Sequence, residues 1–352
     1  MKHVVLLCGG RSAEHEVSLV SVQFVMKSLD KQQFRVSVVG INKDGSTMSA
    51  SELRAGLKAA DCKDIGFPEV DRWIAFLQKL NPETAIVFPV LHGPFGEDGT
   101  VQGVLEVLDL PYVGASVGGS AVGMNKAYCK AILKSAGLPV LPALTMDFEG
   151  WKNSASTILD KASTEMSFPL FVKPVNMGSS VGISRCLDRD ELRAGIEKAL
   201  DYDDFVLIEQ GVDAREIEVS VLGSQDPKVS VPGEIIPDDV FYSYESKYLS
   251  GSSRLVIPAQ LESGQAEEIS RAAVQVFKVL QLEGMARVDF LVEKGSGAIW
   301  VNEPNTIPGF TDISMYPKLW EASGLPADQL LSELVEVGVQ RYRRRSRLKV
   351  DR

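Results

Sequence analysis

Two acids and an amide near residue 300 are the first residues whose types and spacing suggest chemistry. Residues 287–292 (Arg-Val-Asp-Phe-Leu-Val) alternate polar and apolar side chains, as a half-buried strand does. Gly295-Ser296-Gly297 is turn material, and residues 298–305 read as the returning strand of a hairpin. Side chains two apart share a face, so Arg287 goes with Asp289, and Glu303 with Asn305. Folding about Ser296 sets Asp289 opposite Glu303. Two carboxylates and an amide oxygen suit Mg²⁺, a hard cation that keeps waters and binds phosphates. The competing reading is a surface ion pair between Arg287 and the acids, which is common and contributes little.

Gly178-Ser179-Ser180-Val181-Gly182 lies between two apolar runs. Its successive backbone N–H groups and hydroxyls could cradle phosphate oxygens. It is not a Walker A loop, because Gly-Lys-Ser/Thr is absent from the chain. It does match the G-x-S-x-G nucleophile elbow, but a serine hydrolase needs a histidine after that serine. The only histidines are His3, His15 and His92, and the loop leads into a strand rather than a helix, so the hydrolase reading fails. A plain hairpin turn would use the same residues. Lys173 follows the apolar Leu170-Phe171-Val172, a poor place for a solvated lysine and a good one for meeting a phosphate. Lys126 does the same after a glycine-rich stretch; singly, each is an ordinary surface lysine. Gly9-Gly10-Arg11-Ser12-Ala13-Glu14-His15-Glu16 is a glycine loop opening a helix. It lacks the third glycine of the dinucleotide fingerprint, and His15-Glu16 does not continue to a zincin motif. Glu14 could serve the helix dipole or bind an ammonium.

These residues need elements to hold them. Residues 4–7 form a buried strand, about 14–29 a helix, 34–41 a second strand and 85–90 a third. That order indicates βαβ construction and a parallel sheet, whose ligands gather beyond the carboxyl ends of the strands. The ends at Gly9-Gly10 and at His92-Gly93-Pro94-Phe95-Gly96-Glu97-Asp98-Gly99 are therefore candidate site walls. Residues 114–123 are rich in Gly, Ser and Ala and read as a hinge or boundary. Strands at 168–174, 183–186 and 205–209 and a helix at 190–200 make a second unit, and a third begins near Ile217. Residues 237–254 are polar, aromatic and without period; so long a loop is usually functional, and a lid is the expectation.

The chain has 352 residues, enough for two or three compact units, with an ordinary 45% hydrophobic and 24% charged residues. Its net charge of −10 argues against nucleic acid as the main partner. The basic run 341–352 reads as the solvated end of a helix, with cations near the negative pole of the dipole. Cys8, Cys62, Cys129 and Cys186 are scattered, with neither disulfide nor zinc spacing. The apolar run 4–8 is too short for a signal or a membrane span, so a cytoplasmic home is expected, with no membrane partner.

Taken in order, these pieces resemble the D-alanine–D-alanine ligase family of the ATP-grasp superfamily. The likeness runs through Gly9–Ser18, His92–Gly99, Val172-Lys173-Pro174, Gly178–Gly182, Glu245-Ser246-Lys247-Tyr248, Arg287-Val288-Asp289 and Asn302–Gly309, nearly the whole chain. It implies a three-domain α/β and α+β fold. An N-terminal α/β substrate unit (1–122) would be followed by a central unit with the phosphate loop (123–216) and a C-terminal unit with the lid and metal site (217–352). It implies ATP-dependent joining of two D-alanines through a D-alanyl phosphate, releasing ADP and phosphate, for peptidoglycan precursors. Glu14 would hold the first substrate's ammonium, and His92 would lie beside its carboxylate. Lys126, Lys173, Ser179 and Ser180 would bind phosphates. Glu209, Gln210 and Val212 would line the adenine pocket, and Glu216 would take the ribose. Asp289, Glu303 and Asn305 would carry two Mg²⁺ ions, for which Mn²⁺ could substitute. Arg287 and the Gly309 amide would face the oxyanion, and Ser314 the second carboxylate. Lys247 and Tyr248 would arrive on the lid, with a Glu14–Ser179–Tyr248 network for proton handling. Tyr248 favours an amine nucleophile over the hydroxyl of the D-lactate ligases. The chain departs from the family's common Ser at Ile307 and Arg at His15. A homodimer is expected. Another ATP-grasp carboxylate–amine ligase, or a nucleotide-binding module without turnover, would share parts of this pattern.

Overall fold

The computed structural model describes residues 1–57, 64–236 and 254–349. The first unit runs β1 (Lys2–Gly9), α1 (His15–Ser28), β2 (Phe34–Ile41), α2 (Ala50–Gly56), β3 (Ile65–Gly66), α3 (Trp73–Leu77), β4 (Ala85–Pro89) and α4 (Thr100–Val107). Its strands lie in the order β3-β2-β1-β4, every pair parallel, as the βαβ reading requires. Val4 to Leu7 are fully buried because helices cover both faces of a parallel sheet. Along α1, Val17, Ser18, Ser21, Val22, Val25 and Met26 form the buried stripe, so two serines sit on an apolar face.

Two helices follow, α5 (Val117–Met124) and α6 (Lys126–Ser135). The expected hinge at 114–123 is therefore largely helical, started by Ser116, whose hydroxyl accepts from the Gly119 N–H. Two of its glycines serve proximity rather than bending, while Gly114, before the helix, takes a left-handed φ of 106°. A Cβ on Gly119 would lie 2.8 Å from the Gln281 carbonyl, and one on Gly123 would lie 2.7 Å from Thr306 Cγ2.

The second sheet collects β5 (Ala143–Asp147), β6 (Leu170–Pro174), β7 (Ser184–Cys186) and β8 (Phe205–Gln210) in the order β5-β8-β6-β7, all antiparallel. Helices α7 (Phe148–Glu165) and α8 (Arg189–Leu200) cover it. The third sheet contains β9 (Ala214–Gly223), β10 (Lys228–Val229), β11 (Gly233–Ile236), β12 (Arg254–Val256), β13 (Gly284–Glu293) and β14 (Ile299–Asn305). Its main path is β12-β11-β9-β13-β14. Helix α9 (Gln265–Val279) packs on one face of it; α10 (Met315–Ala322) and α11 (Ala327–Arg345) complete the chain.

Cores cross the units. Cys129 and Leu133 of α6 are buried with β9, β13 and α9. Leu330, Leu331, Leu334, Val335 and Val339 of α11 enter the core of the first sheet. The basic run at the end of α11 is correspondingly a solvated helix end only in part: Arg343, Arg347 and Lys349 are exposed, whereas Arg341, Arg344 and Arg345 are held by acids of other segments. Arg341 is 7% exposed, stacks over Tyr112 at 3.8 Å, and donates to the Gly114 carbonyl (3.0 Å) and to Glu106 (2.8 Å). Arg344 pairs with Glu283, and Arg345 with Glu106 and Asp109. These acids lie some 60 to 240 residues away in sequence, where no local pattern reveals them. No described helix is long and apolar enough to cross a membrane. The lid expectation, Lys247, Tyr248 and Cys62 lie outside the described residues.

Candidate active site

The hairpin forms with the expected register: Arg287 pairs with Asn305 and Asp289 with Glu303. Beyond that the register shifts, Phe290 opposing Val301, so Asn302 is an extra residue in β14. The shift has a chemical use. Ile299 and Val301 face the apolar core, and strict alternation would send Glu303 and Asn305 in after them. One inserted residue switches the parity, and Glu303 and Asn305 line a cavity of about 250 Å³ instead.

That cavity draws on all three units. Glu14, His92 and Glu97 come from the carboxyl ends of β1 and β4, and Gly178 and Ser179 from the loop after β6. Glu218, Arg287, Glu303, Asn305, Gly309 and Ser314 come from the third unit. Glu14 is 6% exposed and accepts from the Ser179 hydroxyl. Two glycines make room for its carboxylate: a Cβ on Gly93 would lie 2.4 Å from Glu14 Oε2, and one on Gly178 2.6 Å. Ser179 and Ser180 both take left-handed backbone angles (φ 49° and 60°), a strained pair of the kind kept at functional loops.

His92 has both ring nitrogens engaged, Nδ1 with the Ile307 carbonyl (3.0 Å) and Nε2 with Ser21 Oγ (2.9 Å). Burial pushes its pKa down to about 4. Burial, with the like charge of Glu14, pushes Glu97 up to about 8 against hydrogen bonds from the Gly93 and Ile307 backbones. The 3.9 Å contact between His92 and Glu97 thus joins two neutral groups near pH 7, although its distance alone would class it as an ion pair.

Arg287 donates to both oxygens of Asp289 (2.8 and 2.7 Å) and reaches Glu218 at 3.0 Å. The ion pair weighed against a metal site therefore exists. It is not a surface pair, for the two side chains are 18% and 14% exposed. Asn305 Oδ1 is buried with no hydrogen-bond partner among the described residues. With Glu303 beside it in the cavity lining and Asp289 across the register, though not itself in that lining, the amide oxygen belongs to an all-oxygen donor set that fits a hard divalent cation. No group of three or more His, Cys, Asp or Glu stands at metal spacing among the described residues. Waters or ligand oxygens would have to complete such a coordination.

A second charged cluster lies between the middle and third units. Glu209, 2% exposed, grips both Lys130 and Lys173, the latter at 2.6 Å. Burial acts to lower Lys173, but Glu209, Glu303 and Glu216 nearby outweigh it and raise its pKa. Lys126 starts α6, where the dipole disfavours a cation and invites an anion. Its Nζ donates to the Met177 carbonyl (2.6 Å) and lies 3.7 Å from Glu303. Asn125 caps the helix and donates to Asn176 (2.9 Å), tying it to the loop. The Gln210 side chain bridges both backbone groups of Ser167 (2.8 and 2.7 Å), and Val212 and Glu216 are half-buried at the junction. Ser314 Oγ accepts from the Thr311 N–H (2.9 Å), and the absent side chain of Gly309 lets it approach.

Sequence reasoning missed Lys130, Glu218 and Ser21, and placed Glu97 only within the candidate wall 92–99 without giving it a role. Of the three missed, only Ser21 left a trace, as a polar residue in an apolar stripe.

The family model for the D-ala D-ala ligase N-terminus matches residues 3–115, and that for the C-terminus residues 132–336. A D-alanine–D-alanine ligase of Heliobacterium modesticaldum is 44% identical, covering 99% of this chain and 98% of that protein. One from Clostridium novyi is 42% identical, covering 97% and 98%. Among solved structures, the D-alanine–D-alanine ligase of Coxiella burnetii superposes with TM-score 0.83 at 34% identity, over 98% of this chain and 96% of that one. The VanG D-Ala:D-Ser ligase of Enterococcus faecalis does so with TM-score 0.80 at 31%, over 96% and 99%. Glu14, Ser179 and Arg287, brought to one cavity from three units, thus sit in a chain that belongs, over its whole length, to the D-alanine–D-alanine ligase family.

Proposed function

We propose that the chain joins two D-alanine molecules at the expense of ATP, and that the cavity between its three units is where the bond forms. The family is ATP-dependent and uses a divalent metal; we assign Mg²⁺, two ions, with Mn²⁺ as a substitute. What supports the reading is one observation: Glu14, Arg287, Glu303 and Gly309, from separate segments, line a single cavity of about 250 Å³.

A carboxylate is a poor electrophile for an amine, so the first D-alanine is phosphorylated and the second attacks the acyl phosphate. In phosphoryl transfer the protein mainly positions groups and neutralises charge. Glu14, oriented by Ser179, holds the first ammonium. Lys126, Lys173 and the strained Ser179–Ser180 loop take the phosphates. Glu209 keeps Lys173 extended towards them, and Gln210, Val212 and Glu216 frame the nucleotide beyond. Asp289, Glu303 and Asn305 hold the metal, which when bound offsets phosphate charge. Arg287 and the Gly309 N–H stabilise the oxyanion, where losing one donor costs ~10²–10³ in rate. Ser314 receives the second carboxylate. His92 is neutral and fully hydrogen-bonded, so it shapes this wall without supplying charge. Lys247, Tyr248 and the segment 237–254 close the site against water, and Tyr248 completes the proton network with Glu14 and Ser179. The units 1–122, 123–216 and 217–352 are the functional divisions, in a cytoplasmic homodimer.

The test is phosphate release from purified protein with Mg²⁺ and ATP, given D-alanine, L-alanine, D-serine or D-lactate as substrates. D-alanine alone should support full turnover; release indifferent to stereochemistry overturns the reading. Glu303→Gln should abolish turnover and leave the circular dichroism spectrum unchanged.

A further inference from the structure

The segment Ile307-Pro308-Gly309-Phe310 belongs to the third unit, yet side chains of the first unit hold both its ends. At one end His92 Nδ1 lies 3.0 Å from the Ile307 carbonyl. At the other the Phe310 N–H points to Ser21 Oγ at 3.3 Å. The two ends are joined, because Ser21 Oγ is 2.9 Å from His92 Nε2.

The direction of each bond follows from elementary chemistry. A carbonyl only accepts, so Nδ1 carries the proton. The buried ring is neutral, so Nε2 is bare and accepts. Ser21 must therefore donate its hydroxyl hydrogen to Nε2, which leaves its oxygen lone pairs to receive the Phe310 N–H. The chain runs one way: Phe310 N–H to Ser21, Ser21 O–H to His92, His92 N–H to Ile307. No member can reverse without leaving a buried donor or acceptor unmet.

Between the two anchors Pro308 fixes its own φ and has no N–H, so the Gly309 N–H can turn only through the Pro308 ψ and the dihedrals of Gly309. The Phe310 ring is fully buried, edge-on to Phe88 (centroids 6.0 Å) and to Tyr316 (5.4 Å). Ser21 itself is fully buried on α1, one turn beyond Ser18, which bonds the Gly9 N–H (2.8 Å) and the Val90 carbonyl.

We propose that Ser21 is a positioning residue: through His92 and the Phe310 amide it aims the Gly309 N–H into the cavity. The consequence is that the first unit sets the geometry of an oxyanion donor carried by the third. The inference rests on the role given above to Gly309, but its structural half can be tested without substrate.

The experiment compares wild type with Ser21→Ala by steady-state kinetics and by hydrogen–deuterium exchange. We expect kcat to fall by ~10–100-fold, the scale of a small misplacement and less than outright deletion of a donor. KM for ATP should stay within about twofold, because no nucleotide-binding residue is touched. Exchange of the peptide covering 306–310 should quicken about tenfold or more, with that of β13 unchanged. A residue that only filled space would lower the melting temperature without producing either the split between kcat and KM or the local exchange. Unchanged exchange at 306–310, or wild-type kcat, overturns the proposal. Should Ser21→Ala not fold, Ser21→Cys keeps the volume, weakens the donor and is read in the same two ways. If wild-type protein makes no D-alanyl-D-alanine, the functional reading fails. The exchange result still decides if Ser21 holds the segment.

Discussion

Replacing Glu209 with Gln should lower the melting temperature by about 5–15 °C. Glu209 is the shared counter-ion of Lys130 and Lys173, whose side chains are only 8% and 13% exposed. Burial alone would raise the Glu209 pKa, but the two ammonium groups outweigh it and hold the carboxyl below its usual range. The opposite shift of Lys173, raised against its own burial, agrees. Removing one partner of a buried pair costs about 3–5 kcal/mol. The Gln amide oxygen can still accept from one lysine, which returns about 1 kcal/mol, so about 2–4 kcal/mol is lost. Because cores cross the units and the chain melts as a larger body, ~2–4 °C per kcal/mol applies, and the stated range follows. The assay is thermal unfolding at fixed protein concentration and scan rate. Glu165→Gln serves as control, because its partner Lys161 is 3.9 Å away and both side chains are more than half exposed, so no measurable change is expected. The depressed Glu209 pKa also sets a pH dependence. Its contribution is complete above the usual carboxylate range and is lost as pH falls through the folded value, so variant and wild type should converge in acid. A Glu209→Gln protein melting within about 2 °C of wild type near pH 7.5 refutes the argument.

Gly178→Ala would place a Cβ 2.6 Å from Glu14 Oε2. The carboxylate must turn, and kcat/KM for D-alanine should fall about tenfold or more, equivalent to ~1.4 kcal/mol, in initial-rate measurements. His92 and His3 should stay neutral down to about pH 4, both through burial and His3 also through Arg35, as ring chemical shifts would report. The unfolded chain takes up protons near pH 6.5 that these rings refuse, so stability should decline from about pH 6.5 towards 4. Ring titration near 6.5 contradicts the burial argument.

How much of this was legible beforehand differs by kind of contact. The pair Asp289–Glu303, counted about Ser296, is present, but the turn alone does not fix it: the register next to the turn, Val292 opposite Ile299, would bring Asn302 opposite Asp289 without the inserted residue. The inserted Asn302 was not legible, because Pro304, two residues on, fits an edge strand as well as a bulge. The parallel sheet followed from the order of apolar runs. The helix at 117–124 did not, because glycines that allow close packing look the same in a sequence as glycines that bend. Lys130, Glu209 and Lys173 meet from segments 36 to 79 residues apart, and no periodicity encodes such a meeting. For the same reason the acids beneath Arg341 and Arg345 stayed hidden. The pairing of Glu14 with Ser179 was reached only through family likeness.

The last helix, α11, inserts five apolar side chains among those of the first sheet. A ribosome makes ~5–20 residues per second, so the amino-terminal sheet must wait tens of seconds for its missing wall. In that interval a nascent chain bears an unsealed greasy surface. The order of synthesis, as much as the chemistry of the cavity, therefore bears on how this sheet comes to be sealed.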